Sequence, residues 1–201
     1  MKIKAAIFDL DGTITEPWFD FDAIRVEMGL SKDAGPVWEA MMRMSPEDRR
    51  RAEEILAFHE ETAVRESTLN PGAAQTLSEL RRRGIAIGIL TRNTKANTLA
   101  VAAKHGIRFD EIYGRGEGPV KPDTCGVLEL CRRFNAEPRL TVVVGDYLFD
   151  LLCAKAAGAI AVWLKNHNHK QDFAEHADFT IDKLEELLDI CDNQTGHNVS
   201  Q

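Results

Sequence analysis

The chain has 201 residues, enough for one hydrophobic core or for one core with a small accessory domain. Its hydrophobic fraction of 44% and charged fraction of 28% are typical of a globular protein. Its 25 Lys and Arg against 32 Asp and Glu give a net charge of −7, which argues against a nucleic-acid partner because such a partner requires a basic surface.

The first predicted element is a buried strand over residues 3–10, in the sequence MKIKAAIFDL. A basic start before an apolar run also occurs in secretion signals, but this run ends at Asp9 and no small-residue cleavage site follows. No apolar stretch approaches the ~20 residues of a membrane span. We therefore expect a cytoplasmic protein without a secretion signal and without a membrane partner.

The cysteines fit the same expectation. None of Cys125, Cys131, Cys153 and Cys191 belongs to a CxxC pair, and each lies in an apolar helical pattern. This usage predicts reduced thiols buried in the core of a cytosolic protein.

Residues 16–69 contain no strand-like run, and their apolar residues recur at helical spacing. The sequence SPED, starting at Ser45, is a capping box with Pro at the first helical position and predicts a long helix to Glu66. We predict that residues 16–69 form a small all-helical cap domain inserted after the first strand.

The rest of the chain alternates strand and helix patterns. Continuous Val- and Ile-rich runs predict strands that are buried on both faces, as in a parallel sheet, at residues 85–90, 140–144 and 159–164. Helical patterns lie between them, so the predicted fold is α/β, a doubly wound, Rossmann-like parallel sheet.

Further boundaries follow from shorter signals. Two short edge strands are expected at residues 111–114 and 178–181, and a helix is expected after NPG, with Asn70 as its N-cap. The core domain is then predicted to comprise residues 1–15 and 70–188. Residues 189–201 are predicted to be a disordered tail.

Polar residues follow the strands at the edge of a parallel sheet where ligands bind. The candidates are Asp9, Asp11, Thr91, Arg92, Asn93, Lys121, Asp146 and Asp150. Any single one of these segments is equally well explained as a turn or helix cap, but all of them in this order favour a site.

The carboxylates of this set require a counter-charge. Asp9 and Asp11 are two residues apart in an extended segment, so both face one centre. Together with Asp146 they would repel one another, and Mg²⁺ held by carboxylate oxygens offsets that repulsion. The pair suits a carboxylate nucleophile beside a carboxyl group that moves protons, with Lys121 and Thr91 binding phosphoryl oxygens.

The motifs DLDGT, LTRN, VKPD and GDYLFD, in this order, resemble the four motifs of the haloacid dehalogenase superfamily. The helical insertion resembles the type-one cap of its phosphoglycolate-phosphatase-like members. Position by position, the resemblance implies that Asp9 is the nucleophile that becomes an aspartyl phosphate. It implies that Asp11 protonates the leaving group and then activates water, while its backbone carbonyl binds Mg²⁺.

The resemblance also implies that Thr91 binds the phosphoryl oxygens and that Lys121 steadies the nucleophile and the phosphate. Asp146 would ligate Mg²⁺, and Asp150 would orient Lys121 or support the metal, so the implied metal set is Asp9, Asp11, Asp146 and Asp150. Arg92 and Asn93 are further candidates for phosphate or substrate binding, with a solvated loop as the alternative.

These motifs predict a Mg²⁺-dependent phosphatase acting on a small phosphorylated metabolite. The alternatives are a phosphomutase of the same superfamily and a non-catalytic protein that senses phosphate. Dehalogenases of the superfamily lack the second aspartate, so Asp11 argues against dehalogenation. One departure from the family pattern is Tyr147, where a small hydroxyl residue is common.

Overall fold

The computed structural model describes residues 2–165 and 171–193. Within these residues the sheet has six strands, namely β1 (Ala5–Phe8), β2 (Ala86–Thr94), β3 (Glu111–Arg115), β4 (Thr141–Gly145), β5 (Ile160–Leu164) and β6 (Phe179–Ile181). The strands lie in the order β3-β2-β1-β4-β5-β6 and are all parallel. The prediction of a doubly wound parallel sheet, with its two short edge strands, is confirmed.

The described helices are α1 (Phe21–Glu27), α2 (Val37–Met42), α3 (Pro46–Glu66), α4 (Ala73–Arg82), α5 (Lys95–His105), α6 (Cys125–Arg133), α7 (Leu148–Ala157) and α8 (Leu187–Asn193). None of them is both long enough and apolar enough to cross a membrane.

The central strands are buried on both faces because helices cover the sheet. All residues of β1 and β4 are buried, and Ile7 of β1 pairs in register with Val143 of β4. Side chains of α6 and α7, such as Leu130 and Leu151, pack with these strands in one apolar cluster. This packing fixes the carboxyl ends of β2, β1 and β4 side by side, at the edge where the candidate residues emerge.

The chain divides into two compact units, one formed by Met1–Pro17 with Thr68–Gln201 and the other by Trp18–Ser67. The second unit contains α1, α2 and α3 around a small apolar core that includes Ile24 and Met41. Its long helix α3 begins as the capping pattern predicts, with the Ser45 hydroxyl oxygen accepting the backbone N–H of Asp48 at 3.1 Å.

The start of α4 differs from the prediction. The N-cap position is Gly72, whose φ of 80° suits glycine, and the helix begins at Ala73. The side chain of Asn70 instead donates from Nδ2 to the backbone oxygens of Gly12 and Thr13, at 3.2 and 3.1 Å. The Asn70 side chain therefore stabilises the loop that follows β1 and does not cap a helix.

Two further expectations need correction. Helix α8 continues to Asn193 because Ile190 and Cys191 are buried, so residues 189–193 are helical rather than part of a disordered tail; residues 194–201 lie outside the described residues. Cys131, Cys153 and Cys191 are buried thiols as predicted, but Cys125 is exposed because it occupies the first position of α6.

Candidate active site

Asp9 lies at the centre of the sheet edge, directly after β1. Its backbone N–H donates to the oxygen of Val144 at 2.9 Å, so the pairing between β1 and β4 extends to this residue. The Asp9 side chain is buried, with the residue 8% exposed. Strand pairing on one side and burial above it hold the carboxylate in one place.

Lys121 joins two of the predicted carboxylates. Its Nζ donates to Asp9 Oδ1 at 2.5 Å and to Asp150 Oδ1 at 2.6 Å, and all three side chains are buried. Asp150 lies in the first turn of α7, where its Oδ2 also accepts the backbone N–H of Tyr147 at 3.2 Å. A Cβ at residue 145 would overlap the Asp150 carboxyl group, so Gly145 makes this approach possible.

Asp146 completes an acidic cluster at the end of β4. Asp9, Asp146 and Asp150 each place one carboxylate oxygen within 4.8 Å of the others. Asp146 Oδ1 accepts the Thr13 hydroxyl at 3.3 Å. Gly12 has a φ of 97°, and a Cβ there would overlap the Asp146 carboxylate, so the loop after β1 can approach Asp146 only with glycine at this position.

The electrostatics of the cluster favour an additional cation. Burial raises the pKa of Asp9 to about 6, with the positive charge of Lys121 opposing the shift. Burial also raises the pKa of Asp150, again against the effect of Lys121. Burial by itself would lower the pKa of Lys121, but the charges of Asp150 and Asp9 outweigh it and raise that pKa.

The cluster therefore holds three buried carboxylates, and the one ammonium group is bound to two of them. A hard divalent cation balances the remaining negative charge, and an all-oxygen donor set fits such a cation. The residues present thus fit Mg²⁺. Among the described residues, the side chain of Asp11 is not one of these three clustered carboxylates, and the predicted role of Asp11 in metal binding belongs to its backbone carbonyl.

The end of β2 supplies the neutral polar groups. Thr91 and Asn93 are buried, and the backbone N–H of Asn93 donates to Thr91 Oγ1 at 3.0 Å. The Asn93 side chain donates from Nδ2 to Asp11 Oδ2 at 3.2 Å. The structure thus brings Asn93, a candidate for phosphate contact, onto the second aspartate of the first motif.

Arg92 and Tyr147 lie among aromatic rings beside the site. The guanidinium of Arg92 lies 5.1 Å from the centre of the Phe149 ring. The ring of Tyr147, a residue that is 38% exposed, packs edge-to-face on Phe149 and on Phe173, with centroid distances of 5.2 and 5.5 Å. The unusual tyrosine of the fourth motif is therefore part of an aromatic cluster.

Three supporting residues are not among the site residues predicted from the sequence. Thr13 and Asn70 hold the loop after β1, and Trp163 donates from Nε1 to the backbone oxygen of Asp146 at 3.2 Å. An indole on the neighbouring strand β5 and a hydroxyl within a turn follow no periodic pattern. Only the folded backbone shows that they contact the site.

Similarity to known proteins agrees with this geometry. The family model described as haloacid dehalogenase-like hydrolase matches residues 3–158. An uncharacterized hydrolase of Saccharomyces cerevisiae is 30% identical over 202 residues, which cover 95% of this chain and 92% of that protein. A phosphoglycolate phosphatase of Vibrio vulnificus is 31% identical over 220 residues, covering 94% and 96% of the two chains.

The fold is shared with solved structures at lower identity. A hydrolase from Pseudomonas syringae superimposes with a TM-score of 0.77 at 22% identity, covering 94% of this chain and 98% of the other. The matched residues 3–158 include every member of the acidic cluster and its lysine. On this evidence the chain belongs to the haloacid dehalogenase-like hydrolases.

Proposed function

We propose that the protein is a Mg²⁺-dependent phosphatase that hydrolyses a small phosphomonoester through an aspartyl phosphate on Asp9. The observation that supports this most strongly is the ammonium of Lys121, bound to both Asp9 and Asp150 at the edge of an acidic cluster. A relative named phosphoglycolate phosphatase, 31% identical, supports the same reaction class.

In the first step the Asp9 carboxylate attacks phosphorus, and the bond to the leaving oxygen breaks as the Asp11 carboxyl group donates its proton to that oxygen. Lys121 and the Thr91 hydroxyl bind the phosphoryl oxygens on which charge accumulates. Thr91 Oγ1 accepts the N–H of Asn93, which leaves its own proton to donate to phosphate.

In the second step Asp11, now a carboxylate, takes a proton from water. That water attacks the phosphorus of the aspartyl phosphate, and phosphate leaves with Asp9 restored. Mg²⁺, held by Asp9, Asp146 and the backbone carbonyl of Asp11, would neutralise the phosphate charge when bound. Because both Asp150 oxygens accept N–H groups, from Lys121 and from Tyr147, we assign Asp150 to orienting Lys121.

A phosphate-release screen tests the proposal. The panel contains phosphoglycolate, sugar phosphates and nucleoside monophosphates, each with Mg²⁺ and with EDTA. We expect at least one ester to release inorganic phosphate with Mg²⁺ and none to do so with EDTA. Isomerisation of a sugar phosphate without phosphate release would establish the phosphomutase alternative. Mg²⁺ binding without turnover of any ester would favour the phosphate-sensing alternative.

Mg²⁺ should stabilise the protein more at pH 7 than at pH 5. Burial raises the pKa of Asp9 from 3.8 to about 6, so folding favours its protonated form. The contribution of Asp9 to the free energy of unfolding is therefore lost as the pH rises from about 4 to about 6, and above pH 6 the buried negative charge destabilises the folded protein. A bound cation offsets that cost and competes with the proton.

Thermal unfolding with saturating Mg²⁺ or with EDTA measures the effect. The expected increase in Tm at pH 7 is roughly 5–10 °C, with a smaller increase at pH 5. The matched variant is Asp146→Asn, which removes one charge of the cluster and should lose most of the increase at both pH values. An increase of equal size in this variant would place the cation elsewhere.

A further inference from the structure

We infer that Asn93 is a positioning residue that holds the carboxyl group of Asp11 in the orientation required for proton transfer to the leaving group. The inference rests on the proposed function, because it assigns to Asp11 the proton-transfer role. It moves Asn93 from the predicted phosphate-binding set to a role exerted through Asp11. The geometry that carries it is the contact between Asn93 Nδ2 and Asp11 Oδ2 at 3.2 Å.

The orientation of the Asn93 amide is fixed by the groups around it. Its Oδ1 accepts two hydrogen bonds, from the backbone N–H of Thr94 at 2.7 Å and from Nδ2 of Asn97 at 2.9 Å. The backbone N–H of Thr94 can only donate and the Asp11 carboxylate accepts from the nitrogen, so the reversed amide would lose both of these contacts. The residue is 4% exposed, so water does not replace them readily.

The backbone that carries Asn93 is equally constrained. Thr94 is the N-cap of α5, with its hydroxyl oxygen accepting the N–H of Asn97 at 3.1 Å. A Cβ at residue 114 would lie 3.1 Å from the backbone oxygen of Asn93, so Gly114 lets β3 approach this turn closely. The Asn93 amide therefore lies at the constrained junction of β2 and α5. From there it contacts Asp11, which belongs to the loop after β1.

The contact has a consequence for proton transfer. An N–H donor at Oδ2 of Asp11 requires that oxygen to accept, so the acidic proton of the neutral carboxyl group resides on Oδ1. The same contact orients the carboxylate when it accepts a proton from water in the second step. Loss of the donor would leave attack by Asp9 on phosphorus intact and would weaken both proton transfers.

The test uses Asn93→Ala in the full chain with two esters. One is the alkyl phosphate turned over fastest in the screen, whose leaving alkoxide needs a proton. The other is p-nitrophenyl phosphate, whose leaving group is stable as an anion. We expect kcat for the alkyl ester to fall roughly 10- to 100-fold with KM within about twofold. With the nitrophenyl ester, the first turnover should keep its rate, while release of inorganic phosphate slows and a burst of nitrophenolate appears.

Asn97→Ala is the second variant, because it removes one support of the Asn93 amide and leaves the amide itself in place. It should lower kcat for the alkyl ester and slow phosphate release from the nitrophenyl ester, each by a smaller factor than Asn93→Ala. It also keeps the inference testable if Asn93→Ala does not fold. An equal loss for both esters without a burst, or a raised KM at unchanged kcat, would overturn the inference. Failure of the proposed function looks different, since the unaltered protein would then release no phosphate from any ester.

Discussion

Replacing Asp9 with Asn should lower the rate of phosphate release about 10⁵-fold, while the protein stays folded. An amide of the same size cannot attack phosphorus, and the proposal assigns Asp11, the other carboxylate that follows β1, to proton transfer. The fold should tolerate the change, because burial raises the pKa of Asp9 and so disfavours its charged form. Release of inorganic phosphate from the best ester of the screen measures the loss.

The covalent step has its own readout. Acid-quenched protein should carry radioactive phosphate after mixing with a labelled ester, and Asp9→Asn should carry none. Asp182→Asn is the matched control, since this carboxylate of the same domain is exposed, and it should keep both full turnover and the label. Turnover above a few per cent in Asp9→Asn would rule out the aspartyl phosphate.

The sheet could be predicted because its strands are buried on both faces. Runs such as AAIF and TVVVG leave little alternative to a covered parallel strand, and the structure has them as adjacent strands β1 and β4. Local signals that depend on one side chain were less reliable. NPG is typical of a helix start. The Asn70 side chain instead donates to two backbone oxygens of the loop after β1.

The site residues also fall into those that the sequence predicts and those that depend on tertiary packing. Asp9, Lys121, Asp146 and Asp150 could be predicted because each lies close to the end of a strand or the start of a helix at one edge of the sheet, and the structure brings all four together. The contact of Asn93 with Asp11 could not be predicted, because it depends on the exact turn between β2 and α5. Strand periodicity fixes which edge a residue reaches, whereas tertiary packing fixes which neighbour it contacts.

Replacing Lys121 with Met should cost both activity and stability. The ammonium is the buried cation that Asp9 and Asp150 share, so its removal leaves two buried carboxylates without their counter-charge. Removing one partner of a buried ion pair costs about 3–5 kcal/mol, and removing a donor to the developing phosphate charge costs about 10²–10³ in kcat. Urea unfolding in EDTA at pH 7 and phosphate release with Mg²⁺ measure the two losses.

Lys155→Met provides the matched control, because Lys155 also contacts an aspartate, Asp178, at 2.5 Å but is half exposed. An exposed pair contributes about 0–1 kcal/mol, so this variant should be nearly as stable and fully active. The stability loss of Lys121→Met should shrink as the pH falls towards 4, because Asp9 and Asp150 have raised pKa values and protonation removes their charges. Equal losses in the two lysine variants, or a loss that grows on acidification, would show that Lys121 does not serve as the counter-charge of the buried carboxylates.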